Sequence, residues 1–127
     1  MQTALPLPLL DPAEGVRLCA GNAQLYQRML ERFLTEPTMG QLIQSIEHGD
    51  LSSAFLHAHT LKGLCAQLAL PALSAACSTL CDLLRTQDAA HPTQAQVLFE
   101  RAFLLYGQTL AAIRQYLAGN SSPTFVF

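Results

Sequence analysis

Apolar residues recur every three to four positions along most of this chain, the period of a helix with one buried face. Asp11-Pro12-Ala13-Glu14 reads as a helix start, with Asp11 as cap, Pro12 at the first helical position and Glu14 completing a capping box. Val16, Leu18 and Cys19 form the apolar side of this short helix, Gly21 ends it and Asn22 can cap the next. Leu25, Met29, Leu30, Phe33 and Leu34 keep helical spacing through a second helix. Pro37 breaks or kinks the chain, and Met39, Leu42, Ile43 and Ile46 resume the period. Gly49-Asp50 pairs a terminating glycine with a fresh cap, and the spacing predicts a third helix from Leu51 to about Leu70. Pro71 fits the first turn of a fourth, which carries Leu73, Ala76, Cys77, Leu80, Leu83 and Leu84. Thr86–His91 reads as a loop, and Pro92 opens a last long helix with Val97 through Leu117.

Strand alternation and hairpin signals are missing from this pattern. Short connections favour antiparallel neighbours, so the expected fold is all-α: an up-down-up-down four-helix bundle with one or two short additional N-terminal helices. Residues 1–9 read as an N-terminal extension, 10–118 as the bundle domain and 119–127 as a tail in which Phe125 and Phe127 have the option of docking.

Composition narrows the function. At 127 residues the chain is long enough for one proper core, and with 50% apolar and only 13% charged residues it favours packing over disorder. Seven Lys and Arg cannot build a basic stripe, which argues against nucleic acid as a partner. Met1–Leu10 lacks a positive start and is interrupted by Pro6 and Pro8, a poor secretion signal. Gly63–Cys81 is uncharged, but Pro71 breaks it and Gln67, Ser74, Ser78 and Thr79 dilute it, so no membrane span is expected there. A cytoplasmic location follows as an expectation. Cys19, Cys65, Cys77 and Cys81 lie in apolar surroundings and read as buried free thiols, and Cys77-x3-Cys81 is a helical turn, not a zinc-knuckle spacing.

The candidate chemistry lies in Ala58-His59-Thr60-Leu61-Lys62-Gly63. Turning about 100° per residue, Leu51, Ala54, Phe55, Ala58, Leu61, Cys65 and Leu68 share one inward arc. His59 falls outside it, bordered by the small residues Ser52, Gly63 and Ala66, with Lys62 between them and the core edge. A mid-helix glycine costs about 1 kcal/mol relative to alanine, so Gly63 beside an exposed histidine asks for a reason, and close approach by another protein is one. A reachable imidazole with a cation one turn on suits a histidine that takes and gives a phosphoryl group; alone, His59 would be an ordinary surface histidine. If the third and fourth helices fold back at Leu70-Pro71, His59 faces Asp82, with Cys81 and Arg85 about a turn away. Arg85 is then either a second cation for a bound phosphoryl group or a residue meeting its helix's C-terminal dipole. Leu56 and Leu70 project beside His59, either as a docking patch with Ala66 or as packing under the N-terminal helices.

Other chemistry fits less well. His57 and His59 point to different sides of a helix and cannot easily share one metal ion, and His48 and His91 fall at helix ends or loops. The carboxylate cluster of a magnesium site and a Walker-type phosphate loop are both missing, so autonomous use of ATP is not expected.

The run from Ala58 to Gly63, followed by Ala66-Gln67-Leu68 and then Leu73, resembles the signature of histidine-containing phosphotransfer (HPt) domains. Asp11-Pro12-Ala13-Glu14-Gly15 and Gly21-Asn22-Ala23-Gln24-Leu25-Tyr26 resemble the family's opening helices, and the likeness spans most of Leu10 to Tyr116. The resemblance implies a monomeric bundle that carries a phosphoryl group between receiver-domain aspartates in a multistep phosphorelay, without being an enzyme itself. By it His59 is the phosphoacceptor, Lys62 steadies the phosphoryl oxygens, Gly63 gives the receiver room and Gln67 matches a polar position that helps orient the site. It implies response-regulator receivers or a hybrid sensor kinase as partners, with magnesium on the receiver and no cofactor here. A chain this short that starts with Met is expected to be a free-standing carrier. The sequence departs from the pattern in three places: Ala69 replaces a common glycine, the pair Leu64-Cys65 replaces small polar residues, and Cys81 stands where Glu or Gln is frequent. The last leaves Gln67 and Asp82 as candidates to orient the imidazole. The alternative is an HPt-like module that docks receivers or kinases without carrying phosphate.

Overall fold

The computed structural model describes residues 6–86 and 92–120, which form six helices and no strand. They are α1 (Pro12–Leu18), α2 (Ala23–Phe33), α3 (Thr38–Glu47), α4 (Leu51–Gln67), α5 (Pro71–Thr86) and α6 (Pro92–Gly119). The expected docking of Phe125 and Phe127, and most of the expected loop before Pro92 with His91, lie outside the described residues.

The helix starts are set by local chemistry. Asp11, Asn22 and Asp50 accept backbone N–H groups of Glu14, Leu25 and Ser53 at 3.2, 3.0 and 3.1 Å, satisfying donors that the first turn leaves orphaned. Asp50 also accepts from Ser53 Oγ at 2.7 Å, and these two bonds hold its carboxyl below the ordinary aspartate range. The capping box at α1 forms only by half. Glu14 turns to Arg17 at 2.6 Å, and the Asp11 amide instead donates to the Ala69 carbonyl at 2.9 Å. With Ala72 N–H donating to the Pro8 carbonyl at 3.1 Å, that bond ties the N-terminal segment to the turn between α4 and α5.

The helix ends explain a second departure from expectation. At the end of α3, Gly49 adopts φ 69° and Asp50 N–H reaches back to the Ser45 carbonyl at 2.9 Å. The end of α4 repeats this reversal without glycine: Ala69 has φ 56° and Leu70 N–H bonds the Cys65 carbonyl at 2.9 Å. A left-handed alanine costs about 1 kcal/mol or more relative to an unstrained residue, so the backbone asks for glycine at this site. The same reversal corrects the reading of Leu70. The residue after the left-handed position folds its side chain back onto the preceding turn, and Leu70 is fully buried at 0% exposure. It belongs to the core and not to a docking patch.

Around α4, the consecutive helices α3, α4, α5 and α6 pack as neighbours, and α2 closes against α6. Edge-to-face pairs Tyr26–Tyr116 (6.0 Å) and Phe33–Tyr106 (6.2 Å) show α2 and α6 running in opposite directions. The helices α2 and α3, interrupted around Pro37, thus supply one arm of a four-helix bundle, with α4, α5 and α6 as the others and α1 as the short addition. Leu30, Leu42, Leu61, Leu73, Leu80 and Ile113 are among the fully buried core side chains. All four cysteines are free; Cys65, Cys77 and Cys81 are buried and Cys19 is half-buried. Burial pushes the Cys77 thiol up to about 12 and raises Cys65 as well, so both stay protonated near neutrality. No helix among the described residues is long and apolar enough to cross a membrane.

Candidate functional site

The rotation of α4 follows from its sequence. Ala54, Ala58, Leu61 and Cys65 face inward and are buried, which carries Leu56, His59, Gly63, Ala66 and Gln67 onto an exposed ridge. The expectation that His59 stands uncovered therefore holds. Open space surrounds Gly63: a Cβ built there meets nothing within 4 Å. No packing among the described residues requires glycine at that position.

Lys62 lies half-buried one turn beyond His59, its backbone carbonyl accepting from Ser74 Oγ of α5 at 3.4 Å. On α5, burial raises the Cys81 thiol, while the positive charges of Lys62 and then Arg85 pull it back down. Both cations, one on α4 and one on α5, thus act electrostatically on the same buried sulfur.

Arg85 sits where the folded-back hairpin was expected to bring it, but it is engaged. Its Nη1 pairs with Asp82 Oδ1 at 3.1 Å, and its guanidinium carbon lies 5.6 Å from the centroid of the Phe55 ring. Phe55 also stacks on His59, ring centroids 5.9 Å apart and planes 20° from parallel. Phe55 is therefore half-buried at the margin of the core, not inside it as the helical wheel suggested. Among the described residues no hydrogen bond reaches the His59 ring nitrogens, so neither Gln67 nor Asp82 orients the imidazole in this way.

Besides a cleft of about 400 Å³ lined by Lys62, Ala66 and Ser74 among others, two further shallow clefts border the ridge among the described residues. Leu56, 61% exposed, lines one of about 370 Å³ with Ser52, Phe55, Leu84 and Arg85. Gln67 rims the other, of about 210 Å³, opposite Arg32 and Glu36. His48 ends α3 and its Nδ1 lies 2.7 Å from the Gln44 carbonyl, while His57 is half-buried on another side of α4. No group of three or more His, Cys, Asp or Glu among the described residues could hold a metal ion.

A protein-family model described as the Hpt domain matches residues 19–118. The chain belongs to the Hpt domain family. Comparison with curated proteins and with solved structures gives no match. Hpt domains are phosphotransfer carriers and not enzymes in their own right, and their interactions are with receiver domains or histidine kinases. Membership thus gives this chain a histidine phosphotransfer role in two-component signalling.

Of the residues picked from sequence, the fold gathers His59, Gly63, Ala66, Gln67 and Leu56 on one ridge with Lys62 at its edge. It holds Arg85 next to them through Phe55, and it removes Leu70. The residue that sequence reasoning missed is Phe55. Its signal was present, since residues four apart on a helix are neighbours, but an aromatic on the apolar arc was assigned to the core.

Proposed function

We propose that His59 is the phosphoacceptor, taking a phosphoryl group from the aspartate of one receiver domain and passing it to another in a multistep relay. The observation that carries this reading is the exposed His59 ring on a ridge left open by Gly63, with Lys62 one turn beyond. A neutral imidazole nitrogen attacks the phosphorus of the aspartyl phosphate in line; a P–N bond forms as the P–O bond to the carboxyl breaks, and the aspartate leaves as carboxylate. Lys62 meets the charge on the transferred oxygens. The receiver supplies its own divalent metal, and this chain needs no cofactor.

Arg85 is the second cation in this reading. Its pair with Asp82 is exposed on both sides, an arrangement typically worth less than about 1 kcal/mol, so exchanging it for a phosphoryl dianion costs little. Leu56 and Ala66 offer the apolar part of the receiver-binding face, and Gln67 extends it along α4.

The test is transfer from a receiver domain charged with acetyl phosphate. Phosphate is expected to move to this chain as an acid-labile, base-stable adduct. Complex formation with the phosphate retained on the receiver would instead show a docking module that carries nothing. Gly63→Gln separates fold from docking. Helix propensity predicts a gain of about 0.5 kcal/mol in stability, read by thermal melting. The added side chain on the approach face is expected to slow transfer about tenfold or more, since near-attack geometry tolerates little displacement.

A further inference from the structure

The imidazole of His59 has no hydrogen-bonded partner among the described residues, and in-line attack needs the ring held in a definite orientation. We infer that Phe55 is the positioning residue: its ring, itself covered by the Arg85 guanidinium, holds the His59 imidazole plane for attack. This inference rests on the phosphoacceptor reading of His59 and adds what aims the ring.

Three observations carry it. Phe55 precedes His59 by four residues, so their side chains lie one above the other on α4. The two rings lie nearly parallel, 20° between planes with centroids 5.9 Å apart, a geometry that restricts how the imidazole turns. Arg85 of α5 lies 5.6 Å from the Phe55 centroid, which sets the ring against the neighbouring helix. Phe55 is half-buried and packs against the core, so the ring that stacks on His59 is itself held by the bundle. An exposed histidine would otherwise sample several rotamers, and each unproductive one lowers the fraction poised in line.

The experiment compares Phe55→Leu with Phe55→Tyr in the full chain. Leucine keeps apolar bulk and removes the flat face; tyrosine keeps the face. Two readouts are used: the chemical shifts of the His59 ring protons, and single-turnover transfer from a phosphorylated receiver across receiver concentration. Phe55→Leu is expected to move the His59 ring protons by loss of the aromatic ring current. It should lower the saturating rate about tenfold, leaving the receiver concentration at half-maximal rate within about twofold. Phe55→Tyr should restore both. Thermal melting confirms that the variants are folded, and should Phe55→Leu unfold, Phe55→Met, which also keeps apolar bulk without a flat face, is read by the same two measurements.

A leucine variant that transfers at the wild-type saturating rate overturns the inference. So does one whose only change is in half-saturation, because that marks a docking residue. Failure of the wild-type chain to accept phosphate sinks the phosphoacceptor reading and this inference with it. Transfer at full speed in Phe55→Leu sinks this inference alone.

Discussion

His59→Gln is expected to reduce phosphoryl transfer by about 10³-fold or more while leaving the fold in place, because removal of the attacking atom is not compensated by its neighbours. Glutamine has nearly the reach of histidine but offers an amide, whose nitrogen is no nucleophile. Lys62 does not substitute in this reading, where it acts as the cation that meets the phosphoryl charge, because an ammonium has no lone pair to offer. The structural cost is small. His59 is exposed on α4 and its recorded contact is the stack on Phe55, so stability should change by no more than about 0.5 kcal/mol. Thermal melting and transfer from a charged receiver measure the two halves. Retained transfer would move the acceptor elsewhere.

Gly15→Ala is expected to have the largest effect on stability, about 2–4 kcal/mol or a fall of roughly 10 °C in Tm. A Cβ on Gly15 would land within the Tyr26 ring, 2.6 Å from its Oη. That ring is held on several sides: Tyr26 is fully buried, packs edge-on against Tyr116 at 6.0 Å, and donates from its hydroxyl to the Leu68 carbonyl at 2.7 Å. Shifting it sacrifices a buried hydrogen bond at the end of α4, worth about 1–3 kcal/mol when a partner is left unpaired. The propensity gain of alanine, about 1 kcal/mol, does not offset this. Where α1 detaches to avoid the clash, the Asp11–Ala69 hydrogen bond goes with it. An unchanged Tm would show that Tyr26 yields freely. The comparison with Gly63, where the same added methyl meets nothing within 4 Å, fixes opposite signs for two helical glycines.

The helix starts were legible because a cap is a local bond between residues three apart, as at Asp11, Asn22 and Asp50. The exposure of His59 was legible for a similar reason, since α4 is a regular helix whose apolar positions decide its rotation. Leu70 was not, because a helical wheel stops describing side-chain direction once Ala69 takes a left-handed backbone. Glu14 had a competing partner, Arg17, that the capping-box pattern does not weigh. Phe55 lies at the margin of the apolar arc, one step from His59, and whether such a residue packs inward or under its neighbour depends on the facing helix. The contact between Gly15 and Tyr26 has no local signal at all, because it joins α1 to α2 across the reversal at Ala20-Gly21.

In the proposed relay step a single imidazole, that of His59, bears the phosphoryl group. Heteronuclear NMR of the chain after phosphorylation by a charged receiver, observing the ring nitrogens of all four histidines, tests it directly. A ring nitrogen of His59 is expected to become bonded to phosphorus while those of His48, His57 and His91 do not. Phosphorus bonded to any other side chain, or to none, would contradict it.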